Sequence, residues 1–376
     1  MPWGAKNTVS LRKEFVQLAS NGEINFSELC RRFQVSRKTG YKMLKRFKLQ
    51  TSVGLQDQSR RPHSSPSKTA NEIENQVVEL RRRYPARGGR KLRRMLQNSG
   101  AENVPAASTI TGILHRHQLI DLAESTQHEP YRRFERAAPN DMWQMDFKGH
   151  VPMDQGRCHP LTILDDHSRY AIGLFACDNE RTQTVREHLV TVFRRYGLPH
   201  RILSDNGPPW GTAGAEEKHT ALTVWLMRSG VRVLHGRPCH PQTQGKDERF
   251  HRTLATEVLR ERLVDLEQTQ RRFDGWRQDY NWVRPHEALN LDLPGKHYKP
   301  SGRTFQETPS QPEYHASMQV RKVDVNGSIT IWSNRWKVGQ AFCGYQVGIE
   351  PTMEDGIFNV YFSGQVIKKL DRRAIQ

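Results

Sequence analysis

Three acidic side chains have the types and positions that could bind divalent metal ions. Asp146 lies inside an apolar run at 143–147, Asp205 directly follows a run at 201–204, and Glu248 falls in the first turns of a predicted helix. A buried carboxylate is costly unless it is paired or binds a metal. Such oxygen ligands suit Mg²⁺ or Mn²⁺, and two of these ions can activate a water and stabilise the leaving oxygen of a phosphodiester. Each acid taken alone is more simply an ordinary strand end or helix surface.

The elements that would position these acids follow from the spacing of apolar residues. Helical spacing predicts helices at 181–196 and 221–228, and a polar loop at 240–245 opens a long helix that carries Glu248. Strands are predicted at 142–147, 161–166, 170–177, 201–207 and 231–234. Three hairpin-like strands followed by alternating helices and strands predict a mixed α/β sheet.

The chain is strongly basic, and the excess lies at its N-terminal end. The 376 residues carry a formal charge of +18, of which residues 1–140 carry +14 (26 Lys and Arg against 12 Asp and Glu). This asymmetry predicts that the N-terminal part binds nucleic acid, a solvated basic surface being the alternative. Five scattered cysteines without a CxxC pair predict no disulfides and a reducing compartment. No apolar run approaches the roughly 20 residues that cross a bilayer, and no signal peptide is predicted.

Residues 1–52 have the pattern of a helix-turn-helix DNA-binding domain. An amphipathic helix at 9–19 ends at Asn21-Gly22, Ser27 is predicted to cap a short second helix, and Ser36 is predicted to cap a third. The first turn of the third helix would meet base edges. The predicted DNA contacts of this domain are Arg37, Lys38, Thr39, Lys42 and Lys45. A plain three-helix bundle is the alternative.

A basic linker and a second helical domain follow. Residues 53–70 are rich in Pro and Ser and predict an extended linker in which Arg60 and Arg61 lie along phosphates. Residues 71–122 contain three short periodic helices that predict a second helix-turn-helix domain. Its predicted DNA contacts are Arg90, Lys91, Ser108, Thr109 and Arg116. Two such domains, with another linker at 123–139, would bind a long bipartite site.

Three segments resemble the catalytic blocks of the DDE transposase and retroviral-integrase superfamily. They are Trp-Gln-Met-Asp-Phe at 143–147, Ser-Asp-Asn-Gly-Pro-Pro-Trp at 204–210 and His-Pro-Gln-Thr-Gln-Gly-Lys-Asp-Glu-Arg-Phe-His-Arg-Thr-Leu at 240–254. They occur in the family's order, and the segment at 280–286 resembles the one that follows this core. The resemblance runs to about residue 300 and favours bacterial insertion-sequence transposases with an integrase-type core.

The resemblance implies an RNase H-like catalytic core at 140–265. It implies that Asp146, Asp205 and Glu248 form the catalytic triad and hold two Mg²⁺ or Mn²⁺ ions. The 42 residues between Asp205 and Glu248 exceed the retroviral spacing, which predicts a longer loop around 210–219. Residues 1–60 lack the His-His-Cys-Cys zinc module of retroviral integrases, and this difference favours a bacterial transposase.

The neighbours of Glu248 on the predicted helix are assigned by spacing. His251 and Arg252 follow it by three and four residues and share its face, so both are predicted to contact phosphates, ordinary helix-surface positions being the alternative. Asp247 is predicted to point elsewhere and to be solvated. The segment Asp-Asp-His-Ser-Arg at 165–169 is predicted to be a turn between strands, so neither of its acids belongs to the triad.

The C-terminal residues are predicted to form a helical extension and linker at 266–315 and a small β-barrel at 316–376. The pairs Asn-Gly at 326–327 and Asp-Gly at 355–356 predict hairpin turns between apolar runs. The resemblance supports a barrel, because related transposases carry one after the core. Trp332 and Trp336 could contact DNA, although tryptophans in such strands are more often core residues.

Together these features predict a multidomain α/β protein that acts as a DNA transposase, a polynucleotidyl transferase. It would bind terminal inverted repeats, cleave transposon ends and join the 3′-hydroxyl to target DNA. Its partners would be double-stranded DNA and further copies of the chain, in a dimer or larger assembly and without a membrane. A metal-dependent nuclease and a sequence-specific DNA-binding regulator are the alternatives. The predicted location is the bacterial cytoplasm, in association with the nucleoid.

Overall fold

The computed structural model describes residues 7–59, 68–120, 135–212, 218–236 and 245–374. The chain divides into two compact units, Met1–Lys68 and Thr69–Gln376. Arg60 and Arg61, and most of the loop predicted at 240–245, lie outside the described residues. No helix in the described ranges is long and apolar enough to cross a membrane.

The first unit contains three helices and a short 3₁₀ turn. They are α1 (Thr8–Asn21), α2 (Phe26–Arg32), α3 (Arg37–Gln50) and the turn Thr51–Leu55. Their shared core contains Phe15, Val16, Leu29, Cys30 and Leu55. Ser36 caps α3 as predicted, since its hydroxyl accepts a hydrogen bond of 3.1 Å from the Thr39 amide. The predicted cap of α2 is wrong, because the Asn25 side chain accepts the Ser27 amide at 2.9 Å and α2 begins at Phe26.

The second unit begins with another three-helix arrangement. Its helices are α4 (Asn71–Arg83), α5 (Gly89–Asn98) and α6 (Ala107–Arg116). Their apolar cluster includes Val77, Leu92, Leu96, Ile110 and Ile113. A Cβ on Gly89 would lie 2.5 Å from the Thr111 hydroxyl and 2.6 Å from the Ala107 carbonyl oxygen, so glycine permits the close approach of α5 to α6.

A six-stranded mixed sheet forms the centre of the second unit. Its strands are β1 (Trp143–Phe147), β2 (Val151–Pro152), β3 (Arg157–Asp165), β4 (Ala171–Cys177), β5 (Arg201–Ser204) and β6 (Arg232–His235). The strands follow the order β2-β3-β1-β5-β6, and β4 also pairs with β3. β3 is antiparallel to β1 and β4, whereas β1, β5 and β6 run parallel. The predicted mixed α/β core is confirmed.

Helices cover both faces of this sheet. They are α7 (Thr182–Tyr196), α8 (Ala221–Arg228), α9 (Gly245–Leu254) and α10 (Leu266–Trp282). One face packs Trp143 and Ile163 with Val185 and Leu189 of α7, and α8 joins the same cluster. The other face packs Leu174 with Phe250 of α9 and other residues of α9 and α10. Both clusters are apolar, so the sheet is rigidly held from two sides.

The C-terminal strands form an open sheet and a separate hairpin. They are β7 (Gln319–Lys322), β8 (Ser328–Ile331), β9 (Asn334–Lys337), β10 (Gln346–Pro351), β11 (Ile357–Phe362) and β12 (Gln365–Asp371). The four-stranded order is β12-β11-β10-β7, and β8 pairs with β9 alone. A barrel requires every strand to have two paired neighbours, and in the described residues β7 and β12 remain at the edges. The predicted closed barrel is therefore not found, whereas the predicted turns at Gly327 and Gly356 are present with φ of 74° and 76°.

Candidate active site

Asp146 lies on β1, and Asp205 directly follows the neighbouring parallel strand β5. Trp143 pairs with Ile202 and Gln144 with Leu203, so the same register places position 146 beside position 205. Burial, followed by the negative charge of Asp205, raises the pKa of Asp146 to about 7. Burial also raises the pKa of Asp205, whose Oδ1 has no hydrogen-bond partner among the described residues.

Two partly buried carboxylates with raised pKa values and an unsatisfied oxygen fit a divalent cation. Their mutual repulsion is unfavourable in the protein alone, and a bound Mg²⁺ or Mn²⁺ would relieve it. No cluster of three or more His, Cys, Asp or Glu in the described ranges is arranged to hold a metal ion. Asp146 and Asp205 are therefore suitable ligands for a metal ion. Glu248, the third predicted ligand, does not form a metal-binding cluster with them in the described residues.

Helix α9 places Asp247, rather than Glu248, against the sheet. The buried positions of α9 include Asp247, Phe250, His251 and Leu254, which are spaced as one face of a helix. Asp247 is 0% exposed, whereas Glu248 is exposed. The predicted solvation of Asp247 is wrong, because the face of α9 that packs on β1 and β3 begins at this residue. The role of Glu248 stays a prediction.

The Asp247 carboxyl is strongly perturbed by this burial. Its pKa is raised well above the usual range, first by burial and then by the charges of Asp146 and Asp166. Neither oxygen has a hydrogen-bond partner among the described residues. Burying a carboxyl group without a hydrogen-bond partner costs less free energy when the group is protonated and neutral than when it is charged.

His251 is buried near Asp146. It does not lie on the exposed face of α9 that carries Glu248 and Arg252. Its Nε2 is 2.8 Å from Thr162 Oγ1, and its Nδ1 is 4.0 Å from Asp146 Oδ2. Since the Thr162 hydroxyl donates to the Asp146 carbonyl oxygen at 3.0 Å, Nε2–H of His251 donates to Thr162. Burial lowers the pKa of His251 to about 4, which favours the neutral ring. The phosphate contact of His251 stays a prediction. Arg252 is exposed, as its predicted contact requires.

The two acids at the end of β3 have structural partners, as the predicted turn requires. Asp165 accepts the Asn140 amide at 2.8 Å and the Ser168 hydroxyl at 2.6 Å. Asp166 accepts the Gln144 side chain at 2.7 Å and binds Lys246 at the start of α9. The turn is confirmed, and its second acid anchors the N-terminal end of the helix that carries Glu248.

The predicted DNA contacts of the first unit are all exposed. They are Arg37, Lys38, Thr39, Lys42 and Lys45, on the N-terminal half of α3. This exposure is compatible with base and phosphate contacts, which remain predictions.

The predicted DNA contacts of the second helical domain fall into two groups. Ser108 and Thr109 are exposed in the first turn of α6, and Arg116 is exposed and bound to Glu74 at 3.0 Å. Arg90 instead lies 3.7 Å from Glu287 of the core, and Lys91 is half-buried. Burial, followed by the charge of Arg284, lowers the pKa of Lys91 to about 7. Lys91 packs toward the core, whereas Arg90 touches it at Glu287 and keeps 71% of its side chain exposed. The DNA contacts of both residues stay predictions.

One buried ionic cluster was not anticipated from the sequence. Glu257, Arg284 and Arg87 come together although they lie far apart in the chain. In the sequence, the segment at 280–286 is distinguished only by its resemblance to the family. Charged residues of this kind are ordinarily solvated, so their types gave no signal of burial.

Family comparisons agree with the arrangement of helical units, sheet and C-terminal strands. An integrase core domain matches residues 136–241, and a second integrase core description matches 229–294. A helix-turn-helix domain matches 11–63, a homeodomain-like domain matches 39–114, and the C-terminal domain of the IS481 family of transposases matches 318–376. The chain is therefore similar in successive segments to helix-turn-helix domains, to integrase core domains and to the C-terminal domain of a transposase family.

Individual relatives include proteins of bacterial insertion elements. The insertion element IS407 uncharacterized 31.7 kDa protein of Burkholderia multivorans is 29% identical over 160 residues, covering 42% of this chain and 55% of that protein. The insertion element IS476 uncharacterized 39.2 kDa protein of Xanthomonas euvesicatoria is 28% identical over 178 residues, covering 46% of this chain and 48% of that protein. The chain thus spans about half the length of these relatives.

A distant likeness to a viral structure is also found. A chain in the cryo-EM structure of a simian T-cell lymphotropic virus intasome with the PP2A regulatory subunit B56 gamma is 14% identical. It covers 79% of this chain and 96% of that chain with a TM-score of 0.39, too low to bear on function.

Proposed function

We propose that the chain binds the terminal inverted repeats of a mobile element, cleaves a strand at each end, and joins the freed 3′-hydroxyl to target DNA. The observation that carries this proposal is the pair of carboxylates on β1 and directly after β5, with the charge of one raising the pKa of the other. The similarity to integrase core domains and to insertion-element proteins supports this class of reaction, and the exposed basic face of α3 supports contact with DNA.

Two divalent cations, when bound, would activate the attacking oxygen and stabilise the leaving oxygen in each step. The protein's part is to hold the oxygen ligands Asp146 and Asp205 at the edge of a rigid sheet. Glu248, which is exposed on α9, would join them when the metal ions are bound. His251 keeps its proton on Nε2 and ties α9 to β3 through Thr162. Both steps displace oxygen at phosphorus, so one site serves for both and no Ser or Tyr nucleophile is required.

A substitution series tests the assignment of the triad. Asp146→Asn, Asp205→Asn and Glu248→Gln each remove an anionic ligand while keeping the size of the side chain. Each should lower strand cleavage and strand transfer in Mg²⁺ by about a thousandfold or more, because a ligand contributes several kcal/mol of charge stabilisation. End binding without metal should change little, since it depends on the basic helical units.

Two further variants sharpen this test. Glu267→Gln changes an exposed acid of α10 and should leave both reactions at the wild-type level. Asp247→Asn should leave cleavage largely intact if Glu248 is the third ligand. Loss of cleavage in Asp247→Asn with retention in Glu248→Gln would reassign the third ligand to the buried acid.

The two alternatives make different predictions in the same assay. A metal-dependent nuclease would cleave DNA without requiring an element end and would not join 3′-hydroxyls to a target. A DNA-binding regulator would bind ends and show neither reaction. Joining of an end to a second duplex therefore separates the proposed function from both.

A further inference from the structure

The helix that carries Glu248 continues into a turn whose acidic side chain is buried. Residues Ala255–Leu259 form a π-helical turn directly after α9. The side chain of Glu257 in this turn is only 4% exposed. Its Oε2 accepts a hydrogen bond of 2.8 Å from Trp276 Nε1, and its Oε1 accepts one of 2.8 Å from Arg284 Nη1. Turns of this type recur at functional sites, and here the turn directs a carboxylate away from solvent.

A second arginine reaches the same carboxylate from the second helix-turn-helix domain. Arg87 lies between α4 and α5, is completely buried, and brings its Nε to 3.9 Å from Glu257 Oε1. Its guanidinium lies 3.6 Å from the centre of the Tyr84 ring, and its Nη1 contacts Met95 Sδ at 3.1 Å. Burial lowers the pKa of Arg87 to about 10, and the negative charge of Glu257 opposes that effect. The carboxylate thus offsets part of the cost of burying this cation.

Two weaker contacts lie on the same side of the domain. Tyr84 Oη donates to Asp279 Oδ2 at 3.3 Å, and Arg90 lies 3.7 Å from Glu287. All of these contacts use the corner between α4 and α5. Helix α6 makes none of these contacts and keeps Ser108 and Thr109 exposed, so these two side chains stay accessible while the corner is fixed to the core.

We propose that Glu257 is a positioning residue that fixes the second helix-turn-helix domain to α9 through Arg87, while Arg284, which follows α10, binds the same carboxylate. The contact links the surface that would bind an element end to the helix that carries Glu248. The catalytic role of the Glu257 contact rests on the proposed function. The contact itself does not depend on that function. Since α9 runs into the π-helical turn without a break, release of Glu257 would change the position or order of α9.

The first test measures the linkage without any reaction. Glu257→Gln keeps the shape and one acceptor oxygen but removes the charge that two buried guanidinium groups share. In the full-length chain it should raise hydrogen exchange at the amides of both α5 and α9 by about tenfold or more, because exchange follows local opening. Glu287→Gln, at the more exposed pair with Arg90, is the matched control and should change exchange little. Unchanged exchange at α5 or α9 in Glu257→Gln would overturn the linkage.

The second test measures the effect on the reaction. With saturating end DNA, Glu257→Gln and Arg87→Met should each lower the single-turnover rate by about tenfold or more, since small misplacements of reacting groups are costly. Affinity for end DNA should stay within about threefold, because both side chains are buried. The double variant should be no slower than the slower single variant, since both break one contact. A normal rate in these variants despite increased exchange would overturn the positioning role.

Two further comparisons keep the outcomes distinct. If Glu257→Gln fails to fold, Arg87→Met removes the partner on the other side of the same contact and should raise exchange at α5 and α9 in the same way. An unchanged α9 in that variant would then count against the linkage. If the wild-type chain joins no ends, the proposed function fails, and the exchange measurements alone decide the linkage.

Discussion

Asp146 should make the metal-free protein less stable as the pH rises. Its pKa in the folded chain is about 7, raised from 3.8 by burial and by Asp205. A carboxyl whose folded pKa is raised contributes stability that is fully present below its unfolded pKa and is lost as the pH rises through the folded value. The loss therefore develops between about pH 4 and pH 7 and is complete near pH 8.

The size of this effect follows from the two pKa values. At about 1.4 kcal/mol for each pH unit between them, the ionised Asp146 costs about 4 kcal/mol of unfolding free energy at pH 8. The cost is less than about 1 kcal/mol at pH 4, where the carboxyl is protonated in the folded chain and half protonated in the unfolded one. Asp146→Asn has the same shape and never ionises. The variant should therefore be more stable than the wild type at pH 8 by about 4 kcal/mol, and by little at pH 4.

Urea unfolding in a chelator, at intervals between pH 4 and pH 8, measures this difference. Asp355→Asn, at an exposed C-terminal turn, supplies the baseline for replacing aspartate by asparagine. Saturating Mg²⁺ should stabilise the wild type and have little effect on Asp146→Asn, because only the wild type retains the full ligand set. A difference that is the same at pH 4 and pH 8, or a wild type more stable than the variant at pH 8, would refute the reasoning.

The remaining predictions concern the buried acid, the reading helix and the assembly. Asp247→Asn should keep or raise the unfolding free energy at neutral pH, since burial already disfavours the charge; a loss above about 1 kcal/mol in urea unfolding would contradict this. In competition binding with the full chain, Arg37→Ala should relax the preference for end DNA and Lys45→Ala should weaken all sequences alike, with a shallower salt dependence; equal loss of preference in both would contradict the assignment. If one chain supplies catalysis to the element end that another chain holds, mixing the Asp146→Asn chain with a chain lacking residues 1–68 should restore some strand transfer. No recovery at any mixing ratio would exclude that arrangement.

Local patterns in the sequence predicted the elements well where one short segment determines them. Ser36 and the basic turn after it defined α3, and the apolar run before Asp205 defined β5, because caps and periodicity act within a few residues. The orientation of Asp247 could not be obtained in this way. Its burial depends on which face of α9 packs on β1 and β3, and that choice is made by residues distant in the chain.

Long-range pairing explains the other differences. Arg87 and Arg90 carry the charge expected of a DNA-binding domain, and the sequence could not show that Glu257 and Glu287 of the core would meet them. The C-terminal hairpin turns were predictable from Asn-Gly and Asp-Gly, whereas closure depends on whether the edge strands pair, and no local residue encodes that.

The π-helical turn at Ala255–Leu259 makes this stretch of the chain intolerant of changes in length. Such a turn amounts to one extra residue inserted into an α-helix, and deleting one residue would restore ordinary helix. A residue deleted between Glu248 and Glu257 would move Glu257 by one position, about 100° around the helix axis, and turn it away from Trp276 and Arg284. Surface loops elsewhere in a protein accept insertions and deletions readily. The spacing from Glu248 to Glu257 should therefore be inherited without gaps, even where the amino acids between them change.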